Sequence, residues 1–176
     1  MGSQQNQSSK RRVVLADASP LIGLSLIRQL ALLPALFGQV YISPIVLQEV
    51  LTGKFDKGEP EIRAAIADGW LKLCDAPVAN IALLTLDPGE TQSILQACTL
   101  VALGYSAVLI MDEKAGRAAA MELGLHCLGT AAVVVQAKQK GLIPSAAQVL
   151  EDLFKTDFRL SKRIMRTVLA TVGETI

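Results

Sequence analysis

The stretch Arg12-Val-Val-Leu-Ala-Asp17-Ala-Ser-Pro20 determines how the rest of the chain is interpreted. Residues 13–16 form a continuous apolar run, which is typical of a strand buried on both faces of a parallel sheet. The run ends at Asp17, and the next residues have the pattern of a helix start, with Ser19 as the N-cap and Pro20 at the first helical position. The sequence therefore predicts that Asp17 lies at the carboxyl end of a strand, where open α/β sheets bind their ligands. The alternative is that Asp17 only orders a turn.

A second stretch, Ala107-Val-Leu-Ile-Met-Asp112-Glu113, repeats this design, because another apolar run ends in carboxylates and a helical pattern follows. Short apolar runs alternate with helical patterns along the whole chain. This alternation predicts an α/β fold with a parallel sheet and helices on both faces. Because right-handed crossovers bring all strand carboxyl ends to one edge, Asp17 and Asp112 are expected to meet there.

The composition agrees with this fold class. A length of 176 residues suits one domain, and with 51% hydrophobic but only 4% aromatic residues the core must consist of aliphatic side chains. The net charge of +1 means that a nucleic acid would have to be held by a local basic patch. No apolar run approaches the roughly 20 residues that span a bilayer, and no signal peptide is visible. These features predict a cytoplasmic protein without membrane contact.

The first eleven residues differ from the remainder, because they are polar and contain no apolar run. We interpret residues 1–11 as a disordered arm or an expression-tag remnant, and residues 12–176 as a single domain. The three cysteines are scattered without metal-ligand spacing, which favours free thiols in a reducing compartment.

Two further carboxylates lie in predicted helices. Ser43-Pro44 repeats the cap-plus-proline pattern and starts a helix that contains Glu49. Asp87-Pro-Gly-Glu90 is an acidic form of the capping box, with Asp87 as the N-cap and Glu90 at the third helical position. Each has a structural alternative, since Glu49 also fits an exposed helix residue and Glu90 also fits a residue that only closes the capping box.

Carboxylates that are gathered without a neutralising base repel one another strongly. A divalent cation resolves this conflict, and Mg²⁺ or Mn²⁺ prefers hard oxygen ligands. Such a centre activates water and holds a phosphodiester for in-line attack. The candidate catalytic and metal-binding residues are Asp17, Glu49, Glu90 and Asp112. Whether Asp87 or Glu113 joins them stays open, because both also fit helix caps.

Four further residues are candidate contacts for a phosphodiester substrate. Ser19 follows Asp17 closely, and Arg117 either pairs with Glu113 or faces a phosphate. Lys162 and Arg166 belong to a final helix in a basic C-terminal region. This helix either flanks the path of the substrate backbone or a dimer contact near it, or is a solvated helix face.

The motifs together resemble those of the PIN-domain ribonucleases, and more closely a prokaryotic PIN-like branch described as a domain of unknown function. The resemblance rests on Val-Val-Leu-Ala-Asp17-Ala-Ser-Pro, Tyr-Ile-Ser-Pro-Ile-Val-Leu-Gln-Glu49, Leu-Asp-Pro-Gly-Glu90 and Leu-Ile-Met-Asp112-Glu-Lys-Ala-Gly-Arg117. It implies a three-layer α/β/α sandwich with a short parallel sheet. It also implies a metal-dependent endoribonuclease, and many members of the family are VapC-type toxins that an antitoxin holds inactive. Separately, we expect a homodimer.

The family's acidic quartet falls on Asp17, Glu49, Glu90 and Asp112. Two features depart from the usual pattern: the third acid is Glu90 at a helix start instead of an Asp deep in a helix, and Ile-Met replaces the common Thr-x before Asp112. A catalytically inactive PIN-like module that binds RNA or protein is the alternative. A phosphatase of the haloacid dehalogenase type is disfavoured, because Ser19 occupies the place of its second Asp.

Overall fold

The computed structural model describes residues 10–52, 58–82, 86–156, 158 and 160–175, and within them five strands form one parallel sheet. The strands are β1 (Arg12–Ala16), β2 (Val40–Ile42), β3 (Leu71–Leu73), β4 (Ser106–Ile110) and β5 (His126–Leu128). Their spatial order is β3-β2-β1-β4-β5, so β1 and β4 are central. These two strands pair along their whole length, from Arg12 opposite Ser106 to Ala16 opposite Ile110. The predicted parallel α/β architecture is confirmed.

Helices cover both faces of this sheet. Those in the described residues are α1 (Ala18–Leu26), α2 (Leu32–Phe37), α3 (Pro44–Val50), α4 (Glu59–Ala67), α5 (Pro88–Ala102), α6 (Lys114–Glu122), α7 (Thr130–Gln139), α8 (Ala146–Phe154) and α9 (Lys162–Ala170). Alternate residues of β1 divide between two cores, because Val14 packs with α1, α7 and α8 whereas Leu15 packs with α5 and α6. The result is the three-layer α/β/α sandwich that the resemblance implied.

The cap-plus-proline patterns were correct at two helix starts and wrong at the first. Ser43 caps α3 by accepting a hydrogen bond from the backbone N–H of Val46 at 3.1 Å, and Asp87 caps α5. Helix α1, however, begins at Ala18 with Asp17 in the N-cap position, so Ser19 lies inside the first turn. Pro20 tolerates this register, because the N–H groups of a helix's first turn have no intrahelical partner.

The N-terminal arm and the absence of a membrane span were also predicted from the sequence. Residues 1–9 of the predicted arm lie outside the described part of the chain. Among the described helices, none is both long and apolar enough to cross a bilayer.

Candidate active site

Asp17 lies where β1 ends, at the carboxyl edge of the sheet. Its backbone N–H donates a hydrogen bond to the carbonyl oxygen of Ile110 at 2.9 Å, which fixes the residue to the end of β4. Asp17 is only 4% exposed, and although it occupies the N-cap position of α1, its side chain makes no capping hydrogen bond. The carboxylate is therefore held at the sheet edge by the backbone and is not used to close the helix.

The surroundings of Asp17 disfavour its charge. Burial raises the pKa of the Asp17 carboxyl from 3.8 to about 7. The backbone N–H of Ala18 acts in the opposite direction, and three neighbouring carboxylates raise the pKa further. These neighbours are Asp87, Glu90 and Glu49. A buried acid surrounded by other acids is the electrostatic arrangement that a bound cation would relieve.

Glu90 reaches the site from the first turn of α5. The Asp87 carboxylate accepts a hydrogen bond from the Glu90 N–H at 2.8 Å, which confirms Asp87 as the N-cap. Glu90 is 3% exposed, and its Oε1 atom has no hydrogen-bond partner in the described structure. Burial raises the pKa of Glu90 most, and the charge of Asp87 raises it further. The backbone N–H of Asp87 lowers this pKa, as expected in a capping box. Glu90 therefore has a place in the cap and an oxygen that the cap does not use.

Glu49 reaches the same region from α3. The side-chain oxygen of Gln92 in α5 accepts a hydrogen bond from the Ile45 N–H at 3.0 Å, which ties α5 to the first turn of α3. The Glu49 carboxylate lies against Gly89, because a Cβ atom built on this glycine would stand 2.8 Å from Glu49 Oε1. Burial and then the Asp87 charge raise the pKa of Glu49. Glu49 is therefore part of the cluster and not an ordinary exposed helix residue.

Asp112 follows β4 but is held differently. One oxygen accepts the backbone N–H of Thr130 at 2.8 Å, and the other accepts the Thr130 hydroxyl at 2.6 Å. Burial raises the pKa of Asp112, whereas the two Thr130 hydrogen bonds and the charge of Arg117 lower it. Thr130 begins α7, so the helix N-terminus also favours an ionised Asp112.

Thr130 is the functional residue that sequence reasoning missed. The sequence indicated only that Thr130 lies at the turn before a helix. A threonine at such a position gives no sign that it contacts a carboxylate 18 residues earlier in the chain. Replacing Thr130 by Val is expected to raise the pKa of Asp112 and to lower the free energy of unfolding by about 1–2 kcal/mol, because one charge-assisted hydrogen bond is lost. Denaturant unfolding of Thr130→Val checks this, and Thr130→Ser, which keeps the hydroxyl, should stay close to wild type. Equal stability of all three proteins would contradict it.

Of the two alternatives for Arg117, the pair with Glu113 is not formed in the described structure. No ion pair joins these two residues among those that the described ranges contain. The Arg117 guanidinium instead lies near Asp112: a Cβ built on Gly129 would stand 3.1 Å from Arg117 Nη1 and 3.2 Å from Asp112 Oδ1. Helix α6 places Arg117 one turn after Glu113, but Glu113 is exposed, and the charge of Arg117 lowers the pKa of Asp112.

The site thus consists of two adjoining parts. Asp17, Glu90 and Glu49 form one part, in which Asp87 and the neighbouring carboxylates raise the pKa values. Asp112 forms the other part, two residues beyond the end of β4, the strand that pairs with β1. Glu113, an exposed residue, adds charge near both parts. Within the described part of the chain, however, no three His, Cys, Asp or Glu side chains are gathered closely enough to hold a metal ion between them.

The remaining predicted RNA contacts lie elsewhere. Ser19 is half-buried in the first turn of α1. Lys162 and Arg166 are exposed on α9, which packs on α7 and α8. They line a cavity of about 330 Å³, and the Lys162 ammonium lies 5.8 Å from the centre of the Phe154 ring.

Comparison with known families identifies the family of this chain. The family DUF3368, described as a PIN domain, matches residues 13–174. The chain belongs to the PIN domain family. Its fold is also similar to a solved PilT N-terminus domain protein from the archaeon Sulfolobus solfataricus, with a TM-score of 0.52 and 16% identity over 71% of this chain and 92% of that one. A search of curated proteins gives no match.

PIN domains are generally nucleases that bind RNA, and they typically use divalent metal ions. The question is therefore whether the oxygen atoms of the four predicted ligands suit such an ion. The four predicted ligands of this PIN domain offer only carboxylate oxygens, the type that Mg²⁺ and Mn²⁺ prefer. One of these oxygens, Glu90 Oε1, is buried without a partner. Mg²⁺ keeps several waters and is usually bound through one or two carboxylates. The residues therefore fit a hydrated divalent ion, although they do not form a closed protein cage.

Proposed function

We propose that this PIN domain is a Mg²⁺- or Mn²⁺-dependent endoribonuclease that hydrolyses RNA phosphodiesters. One observation carries the proposal: Asp17 is buried at the carboxyl edge of the sheet, and the charged side chains that act on it are all carboxylates. The proposed catalytic and metal-binding residues are Asp17, Glu49, Glu90 and Asp112. When bound, the ion would supply Lewis-acid stabilisation of the phosphodiester and activation of water.

The chain's own residues would divide the remaining work. Asp17 and Glu90 present buried carboxylates that other protein groups leave largely unused. Thr130 keeps Asp112 oriented and favours its ionised form. Arg117 lies beside Asp112, where its guanidinium could bind a phosphate of the substrate. Asp87 has a positioning role, since its side chain holds the first turn of α5 and thereby Glu90.

The experiment that tests this function is cleavage of a fluorescently labelled single-stranded RNA by the purified protein. Cleavage is expected with added Mn²⁺ or Mg²⁺ and is expected to stop when a chelator is added in excess. Cleavage that persists in the chelator, or its absence at all metal concentrations, would contradict the proposal.

A broader RNA contact is proposed for α9, whose exposed cations are Lys162, Arg163 and Arg166. Phosphate contacts supply much of the affinity for RNA, and an exposed aromatic ring such as Phe154 suits base stacking. The double variant Lys162→Glu, Arg166→Glu is therefore expected to bind RNA at least about tenfold more weakly and with a flatter salt dependence. Fluorescence anisotropy across a salt series measures both.

The matched control carries the same charge change elsewhere. Lys72 on the edge strand β3 and Lys140 at the end of α7 are both exposed, so Lys72→Glu, Lys140→Glu alters net charge equally. If both double variants lose the same affinity, the effect is one of net charge and α9 has no specific RNA role.

A toxin role and an antitoxin partner are also part of the proposal, and they rest on the resemblance to VapC-type toxins. A homodimer and a cytoplasmic location are proposed as well, the location because the scattered cysteines suit a reducing compartment. A non-catalytic module that binds RNA or protein is the second candidate. It is favoured by the lack of a three-ligand metal cage among the described residues. Calorimetric titration with Mn²⁺ separates the two candidates, because a non-catalytic module has no need for a cation.

A further inference from the structure

We infer that Gly89 and Gly116 are positioning residues, whose missing side chains provide the spaces occupied by the carboxylates of Glu49 and Glu90. The expected effect on metal binding rests on the proposed function, whereas the close contacts between the glycines and the carboxylates do not. Neither glycine has a positive φ, so the backbone itself does not require glycine at either position. Both lie in helices, where alanine is intrinsically more favourable than glycine.

Gly89 is the clearer case. It lies in the first turn of α5, and a Cβ built on it would stand 2.8 Å from Oε1, 2.9 Å from Oε2 and 3.1 Å from Cδ of Glu49. All three atoms belong to the carboxylate, so a methyl group would meet the functional end of Glu49 before any other part of the protein. Glu49 is only half-buried, so its side chain has room to turn away and the helix does not have to move.

Gly116 repeats the arrangement on the other side of the cluster. It lies in α6, and its Cβ would stand 2.8 Å from Glu90 Oε1 and 2.6 Å from the sulfur of Met111. Glu90 Oε1 is the buried oxygen without a hydrogen-bond partner. The glycine therefore lets an unpaired oxygen lie against a helix backbone, which a side chain at residue 116 would prevent.

Other glycines show that this contact is not general. Gly104 and Gly124 have positive φ angles, and a Cβ on either would meet nothing within 4 Å, so these two serve the backbone. Gly23 in α1 has an equally close neighbour, because its Cβ would stand 2.6 Å from the Phe158 ring. That neighbour is an apolar ring in the core, which makes Gly23 a matched control.

The test is Gly89→Ala in the purified full-length protein, with Mn²⁺ affinity measured by calorimetry and thermal stability measured in chelator. We expect an unchanged or higher Tm without metal and about a 10- to 100-fold loss of Mn²⁺ affinity, the range found when a residue that orients a ligand is changed. Adding Glu49→Asp, which shortens the side chain by one methylene, should recover part of that affinity. Gly23→Ala should lower Tm and leave the Mn²⁺ affinity as in wild type.

The outcomes are distinguishable. If wild type does not bind Mn²⁺, the proposed function fails. If wild type binds Mn²⁺ and Gly89→Ala binds it equally well, the positioning role is overturned. A loss of affinity that Glu49→Asp does not reduce, or that Gly23→Ala shares, would also overturn it. Should Gly89→Ala not fold, Gly116→Ala with and without Glu90→Asp makes the same comparison at the second glycine, and equal Mn²⁺ affinity in those proteins and wild type would overturn the inference.

Discussion

Replacing Asp17 by Asn is expected to lower the rate of cation-dependent RNA cleavage by about 100-fold or more, and Asp112→Asn is expected to do the same. Asparagine keeps the shape of each side chain but removes the charge that would hold a divalent ion. The two residues follow the two central strands, where the Asp17 N–H is bonded to the carbonyl oxygen of Ile110 at 2.9 Å. Loss of either charge should therefore impair the centre while the sheet stays intact.

Initial rates of cleavage in Mn²⁺, together with circular dichroism spectra of each variant, measure this effect. Asp68→Asn is a suitable control, because Asp68 is an exposed aspartate at the end of α4. The control should cleave RNA at the wild-type rate. Full activity in Asp17→Asn or Asp112→Asn would remove that residue from the proposed centre.

The second large effect concerns stability in the absence of metal. The pKa of Asp17 is 3.8 as an ordinary aspartate and about 7 in the folded protein. The folded chain therefore binds a proton more tightly than the unfolded chain. This tighter proton binding by Asp17 stabilises the folded state fully below about pH 4, and the stabilisation is lost as the pH rises through about 7. The pKa difference between the unfolded and folded states corresponds to about 4 kcal/mol in the free energy of unfolding. An uncharged asparagine at residue 17 avoids this cost at high pH, but burying its amide group has a cost of its own, so the expected gain is smaller.

In chelator, Asp17→Asn is consequently expected to be more stable than wild type by about 2–4 kcal/mol at pH 8 and to lose this advantage near pH 4. Urea unfolding at a series of pH values between these limits measures it. A destabilised variant at pH 8, or a stability difference that does not change with pH, would mean that the folded protein does not disfavour the Asp17 charge.

The sequence was informative wherever a local pattern has one structural meaning. Apolar runs that end in Asp17 and Asp112 predicted two parallel strands with their carboxyl ends at one edge, and β1 and β4 are parallel strands paired at the centre of the sheet. Asp87-Pro-Gly-Glu90 predicted a helix start, and the cap is present. Local rules failed at Ser19, because proline is tolerated anywhere in a first turn and so does not fix the start of the helix.

Contacts between segments that are distant along the chain could not be predicted from local sequence patterns. Thr130 looks like any residue at a helix start until β5 brings it to Asp112. Gly89 and Gly116 look like helix residues of low propensity until the fold places Glu49 and Glu90 against them. Helical spacing offered Glu113 as one partner for Arg117, whereas Asp112 after β4 is the carboxylate whose pKa the Arg117 charge lowers. In each case the partner depends on tertiary packing and not on spacing along the chain.

The central claim is that the carboxylates at the sheet edge bind a divalent cation, and calorimetric titration of the chelator-treated wild-type protein with Mn²⁺ tests it most directly. At pH 7 we expect saturable binding with release of protons, detected as a heat that depends on the ionisation enthalpy of the buffer, because Asp17 is partly protonated before the ion binds. The same titration of Asp17→Asn should show much weaker binding. Absence of saturable Mn²⁺ binding by wild type, or equal binding by Asp17→Asn, would contradict the account.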